Sequence, residues 1–321
     1  SECIGVSSKN SPYTIKKNCM KDNRYLWLGS ILTLLMLIGF SQVSNAQNKK
    51  YPVVDTTYVG VTRLEVHGRF CRVNIEAIDN YEKVDIKGQI RGLNNKRRFE
   101  IAHQKMGKTL RIWIDDIAEN RAVFSTKSYL NFKIPSTIEL DIKNSSGGIF
   151  ASNLKGAQHR FRTTSGMIKL QNVIAEKLIL RSTSGGIRLD KVQADIGARA
   201  SAGMVKIENT KGDIKIRTSA GGIRLKNIEG GLNLRTSAAA IVGEQVLLTH
   251  NSIFRTSAGK IRMKFSNDLK KLNFDLKSSA AKLWVGDVRY KRRVILKQGE
   301  NIMVKGVSSA GSQRYESFTR R

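Results

Sequence analysis

Eight cations recur at one fixed position of this chain: Lys143, Arg162, Arg181, Arg199, Arg217, Arg235, Arg255 and Lys277. Each lies four residues before the last position of a triplet made of a hydroxyl residue, a Ser or Ala, then Gly or Ala. A guanidinium donates in a planar, bidentate fork to carboxylate, phosphate or sulfate, so a row of them suits a polyanion. A second set, Lys169, Arg188, Lys206, Arg224 and Arg262, follows the triplet by three residues and is interrupted by Phe150, Val242 and Trp284. Such chemistry requires the cations to be neighbours in space.

The triplet supplies the means. It occurs nine times, from Ser145-Ser146-Gly147 to Ser309-Ala310-Gly311, with third positions separated by 19, 19, 18, 18, 18, 20, 22 and 30 residues. A near-constant period with a small-residue corner is the mark of a solenoid whose repeats stack. Within residues 214–226, Ile214, Ile216, Thr218 and Ala220 share one face, and Lys215, Arg217 and Ser219 the other. After the Gly pair, Ile223 and Leu225 turn inward and Arg224 and Lys226 outward. Alternation of this kind is the period of half-buried strands, and Gly permits the sharp corner between them. The same alternation runs through Leu64-Glu65-Val66, Val84-Asp85-Ile86 and Leu130-Asn131-Phe132.

The fold expected is all-β: a right-handed, single-stranded parallel β-helix with a less regular β segment before it. Parallel strands stack ~4.8 Å apart, so eight intervals give a tower on the order of 38 Å. Antiparallel hairpins of the same period are the alternative, and they would send alternate cations to opposite ends. The sequence divides into residues 1–46, upstream residues and a signal peptide; 47–135, an irregular β segment packing on the solenoid; 136–312, the repeats with a C-terminal cap; and 313–321, a tail expected to fray. Arg289-Tyr290-Lys291-Arg292-Arg293 is expected to form a protruding hairpin or loop near the cap.

The leader reading rests on Lys21 and Arg24, an apolar run from Leu26 to Phe40, and Ser44-Asn45-Ala46 before Gln47. The apolar run is short for a membrane span, though an uncleaved anchor is the alternative. Residues 1–19 precede Met20 and are set aside from fold reasoning. The chain carries a net charge of +30; without Lys9, Lys16, Lys17, Lys21, Arg24, Glu2 and Asp22 the remainder carries +27. That excess favours polyanions, and export makes nucleic acid a poor candidate beside acidic glycans or an anionic envelope surface. Only Cys71 follows the leader, which rules out an intrachain disulfide there; its parity with Val73 and Ile75 makes it a buried hydrophobe.

No catalytic, cofactor-binding or metal-ligating residue is assigned. The corner hydroxyls lack a base: His67, His103, His159 and His250 are scattered and none recurs with the repeat. Turn hydrogen bonding accounts for those hydroxyls. Asp190, Glu208 and Glu229 read as neighbours balancing Lys and Arg, and Phe254, Phe274 and Trp284 as core or cap.

With the repeats laid out, the chain resembles the bacterial adhesin-like family of β-strand repeats related to the head GIN domain group. The resemblance is carried by the signal pattern, the passage Ile134-Pro135-Ser136-Thr137-Ile138-Glu139-Leu140, and coils such as Ser165-Gly166-Met167-Ile168-Lys169-Leu170-Gln171-Asn172. It implies a right-handed single-stranded β-helix and an envelope or surface role, with no catalytic residues. The density of Arg exceeds what the repeat pattern requires. The function expected is a non-enzymatic envelope or surface protein, periplasmic, outer-membrane associated or exterior. Its ladders would meet an acidic polysaccharide, lipopolysaccharide or an anionic membrane surface. A solvated face without ligand explains the same charges, since neighbours ~5 Å apart in water repel by less than ~1 kcal/mol. A polysaccharide-active enzyme and an envelope-stress component binding another envelope protein are the other readings.

Overall fold

The computed structural model describes residues 53–91, 99–116, 127–299 and 301–319; the leader pattern lies outside the described residues. Between residues 139 and 265 the repeats stack in sequence order, each level joining a strand before the corner to a strand after it. The strand Ile168–Ser182 pairs in parallel with Ile149–Ser165 below and Ile187–Ala200 above. The pattern continues through Ile214–Thr218, Leu232–Thr236 and Ser252–Thr256 before the corner, and Val205–Lys211, Ile223–Gly230 and Ile241–Leu248 after it. Parallel pairing removes the hairpin alternative.

Stacking in register turns each inward position into a column. Ile149, Ile168, Ile187, Val205, Ile223, Ile241 and Ile261 form one, every member essentially inaccessible to water. Burying one such side chain contributes about 1.5–3 kcal/mol, so the columns hold the levels together. The column continues through Gln313 to Leu283; Gln313 is wholly buried but satisfied, its Nε2 donating to the Lys277 carbonyl at 2.8 Å and to Ser308 Oγ at 2.9 Å. Cys71 is buried as its parity indicates, and burial pushes its thiol up to about 12.

The corner is built differently from the inward Ala expected. Ala220, like Ala202, Ala238 and Ala258, is exposed. Alternation stops at Thr218, and the chain then bulges outward through two small residues. What keeps the levels close is the Gly that ends the triplet. A Cβ on Gly203 would lie 2.0 Å from the Gly185 carbonyl oxygen, and one on Gly221 2.0 Å from that of Gly203. The hydroxyls that bond the turn precede the triplet: Ser182 Oγ donates to Gly185 O at 2.6 Å, Thr218 Oγ1 to Gly221 O at 2.5 Å and Ser308 Oγ to Gly311 O at 2.6 Å.

A second bend follows the corner by six positions. Asn153, Asn172, Lys191, Asn209, Asn227 and Gln245 occupy it, all with φ between 49° and 61°. Asn enters this left-handed region readily, and its amides join along the stack: Asn172 Nδ2 donates to Asn153 Oδ1 at 3.0 Å, Asn227 Nδ2 to Asn209 Oδ1 at 2.9 Å. Lys191 adopts the same φ without either advantage. Lys191→Asn is expected to stabilise the protein by about 0.5–1 kcal/mol, read as a higher urea midpoint. An unchanged or lower midpoint would remove the backbone argument.

Both ends depart from sequence order. The strands Arg63–Gly68 and Arg72–Ile78 lie between Thr109–Asp116 and Tyr129–Pro135 on the outside and residues 139–152 on the inside. At the other end, Ile302–Ser308 and Gln313–Ser317 are inserted between residues 252–265 and the level formed by Leu272–Ser278 and Leu283–Val285. Gln313–Ser317 is thus a strand where fraying was expected, because Gln313 and Tyr315 point into the core. Tyr315 packs with Phe254, Phe265 and Phe274, ring centroids 5.8–6.1 Å away. Gly306 makes room, since a Cβ there would meet the Tyr315 hydroxyl at 2.2 Å. The basic insertion is a hairpin and not a loop: Val288–Tyr290 folds back antiparallel on Leu283–Val285, and Arg293–Leu296 then pairs antiparallel with Leu272–Ser278, so its strands lie against the outermost level. Phe99–Met106 covers Thr109–Asp116 in the same antiparallel manner.

Candidate functional site

Arg side chains separated by 18–20 residues become neighbours because the strands before each corner share one register. Lys143 lies opposite Arg162, and Arg162, Arg181, Arg199, Arg217, Arg235 and Arg255 follow on successive strands. Alternation puts them outward, between core positions such as Ile216 and Thr218. The spacing between strands, ~4.8 Å, is the spacing of the row. Lys277 departs from the expected order, since the inserted C-terminal level places Val307 between it and Arg255. At the lower end the row passes from Lys143 to His67, whose Nε2 lies 3.4 Å from Lys143 Nζ. Burial, then Lys143 and Arg111, push the His67 imidazole below its ordinary value, so it adds little charge near neutral pH.

The second row also aligns. Lys169, Arg188, Lys206 and Arg224 occupy successive strands, Val242 interrupts, and Arg262 follows. Arg314 continues it beside Arg262, with its guanidinium carbon 5.9 Å from the centre of the Trp284 ring. That residue escaped the sequence reading although it stands three places after Gly311, where the count of the other members points. Trp284 belongs to the cap and not the core: it is half-buried on the outer face of the terminal level.

The two rows differ in compensation. Lys206 pairs with Glu208 at 2.7 Å, and Arg314 pairs with Glu316. Among the described residues, none of Arg162, Arg181, Arg199, Arg217, Arg235 and Arg255 has a carboxylate within 4.0 Å. Burial and then the flanking Arg255 and Arg217 hold the Arg235 guanidinium below its ordinary value. The Nε atoms of Arg162 and Arg235 are shielded from water and lack an acceptor. Donors left without acceptors are costly.

The acidic residues near the rows divide. Glu208 and Glu229 balance Lys206 and Lys211, the latter pair 2.8 Å apart. Asp190 instead accepts from the Asn209 amide at 2.7 Å. Of the histidines, His103 contacts Tyr58, His250 Nδ1 lies 3.3 Å from Asp213, and His159 is sealed in the core. Among the described residues, no three His, Cys, Asp or Glu side chains are gathered as a metal site would need, and no helix is long and apolar enough to cross a membrane.

These features define a parallel β-solenoid with an uncompensated basic row along one face. Residues 69–319 match the family described as Toastrack DUF4097, and the chain belongs to that family. No curated protein matches it. A solved structure described as a "putative adhesin" from Bacteroides fragilis is 12% identical, covers 82% of this chain and 96% of its own, and superposes with a TM-score of 0.41. Another "putative adhesin", from Parabacteroides merdae, is 12% identical, with coverages of 66% and 96% and a TM-score of 0.37. A "putative cell adhesion protein" from Clostridium sporogenes is 10% identical, with coverages of 83% and 99% and a TM-score of 0.28.

Proposed function

We propose that this chain is an exported, non-enzymatic, adhesin-like solenoid that holds a regularly charged anionic polymer or surface against its arginine row. The observation that carries the reading is the run of six arginines on successive strands, none paired with a carboxylate among the described residues. Neighbours ~5 Å apart repel by under ~1 kcal/mol per pair in water, so the row is tolerable when empty. A ligand with carboxylate, sulfate or phosphate groups along its length gains contacts at several levels together, and multivalency raises affinity without any single strong contact. Acidic polysaccharide, lipopolysaccharide and anionic lipid headgroups share that chemistry. The non-enzymatic part of the reading is supported by the commitment of Glu208 and Glu229 to lysines.

The test replaces Arg181, Arg199, Arg217 and Arg235 by Gln and measures retention on a sulfated polysaccharide column and on anionic vesicles across a salt series. The variant should fold normally and elute at lower salt, with a shallower dependence on ionic strength because fewer screened contacts remain. Unaltered retention on both supports would reject the row as the binding surface. Loss on one support alone identifies which source of anion the row meets.

A further inference from the structure

A groove of about 970 Å³ runs along the second bend of the coils, from the level of Glu76 to that of Ser266. At ~4.8 Å per level it extends on the order of 34 Å. Its lining differs from the rest of a chain whose net charge is +30. Glu76, Asp79 and Glu229 oppose Lys155, Lys191 and Lys211, so the charges of the groove cancel. Two of these pairs are closed internally, Lys155 with Asp79 at 2.7 Å and Lys211 with Glu229 at 2.8 Å. An anionic polymer gains nothing here that the arginine row does not offer better.

What the groove presents instead is amides. Asn153, Asn172, Asn209, Asn227 and Gln245 line it at the left-handed bend, and Gln193 lies two residues beyond Lys191. The bonds along the stack use only part of their capacity: Asn172 donates to Asn153, Asn209 to Asp190, and Asn227 to Asn209. Each amide carries two N–H donors and two acceptor lone pairs, so donors and acceptors remain on the solvent side. Ile174 and Leu247 add exposed apolar surface between them.

We infer that this groove is a binding site for a neutral, linear polysaccharide, separate from the arginine row. A ligand that matches must be extended, uncharged, and able to both donate and accept at a repeat near that of the strands. Sugar hydroxyls do both, and the apolar faces of pyranose rings suit Ile174 and Leu247. An extended peptide advances ~3.3 Å per residue, out of step with amides ~4.8 Å apart, and the solenoid strands along the groove already pair on both sides.

The experiment titrates the full chain with neutral β-1,4-linked gluco-, manno- and xylo-oligosaccharides of three to six units, by calorimetry at low and high salt. Binding is expected for at least one series, tightening with chain length and little changed by salt. The double variant Asn209→Gly, Asn227→Gly keeps the left-handed bend while removing two amides, and its affinity should fall roughly tenfold. The four-arginine variant should bind the neutral oligosaccharide as well as the unaltered chain does, so the two sites fail separately. Absence of binding to all three series overturns the inference, as does undiminished affinity in the folded double-glycine variant.

Discussion

Replacing Gly203 by valine is expected to destabilise the solenoid by more than about 4 kcal/mol, enough to deplete the folded protein. The reason is a backbone contact that no side-chain rearrangement relieves. A Cβ at Gly203 would lie 2.0 Å from the Gly185 carbonyl oxygen and 2.3 Å from its carbon. That carbonyl belongs to a stack of corners in which Ala202 N also donates to Thr183 O at 3.0 Å and Ala220 N to Ser201 O at 2.9 Å. Moving the levels apart would stretch such bonds together. Ala239 and Ala281 occupy the equivalent position at two corners, so a level can yield to one methyl. Gly203→Ala should therefore cost only about 1–3 kcal/mol. Gly222→Ala is the control: its nearest neighbour, the Ala240 carbonyl oxygen, is 3.6 Å away, and the change should stay within about 0.5 kcal/mol. Denaturant midpoints of the three variants check the ordering. A valine variant as stable as the control would mean that the corners do not set the spacing.

His159 gives the second large effect. It lies between Leu140 and Leu178 in an inward column, is inaccessible to water, and has no hydrogen-bond partner at either ring nitrogen. Burial pushes its imidazole down to about 4, while the Lys155 backbone, near but without good bonding geometry, pulls weakly the other way. In the unfolded chain the ring titrates near its ordinary value of 6.5. Above that pH both states are neutral and no penalty applies. Between about 6.5 and 4 only the unfolded chain takes up the proton, so stability falls as pH falls. Below about 4 both states are protonated and the loss, about 3 kcal/mol, is complete. His159→Leu matches its column neighbours and removes this term. The variant should gain about 1–2 kcal/mol at pH 7.5, where unsatisfied ring nitrogens are lost, and about 4 kcal/mol or more near pH 4. Urea unfolding of both proteins at the two pH values measures the difference. A gain that does not grow on acidification would show that the ring is not held neutral.

The repeat was legible because its signal is redundant: nine corners fix the period, and Arg181, Arg199, Arg217 and Arg235 fall into line once the period is known. His159 was legible too, since alignment of the repeats sets it against Leu178, Ile196 and Ile214, but a single polar residue in an apolar column draws no notice when corners are being counted. The exposure of Ala220 was not, because parity alone cannot say where a strand gives way to a bulge. Nor was the order of the levels at either end. Residues 63–78 carry no triplet, and Ser309-Ala310-Gly311 looks like one more turn at the end of the series. Which level a strand joins is decided by pairing across long stretches of chain. The groove was hidden for a related reason: Asn172 was read as part of a motif, whereas its φ of 54° shows it to be a bend.

That displaced order bears on how the molecule is made. Leu272–Ser278 and Leu283–Val285 have no parallel partner among the described residues other than Ile302–Ser308 and Gln313–Ser317. As the polypeptide is made, the repeats between residues 139 and 265 can assemble progressively, but this outer storey must wait for residues 302–317 to slide in beneath it. Completion of that level is thus deferred past its own synthesis, and a lesion removing residues 302–317 would strand that one level of the tower.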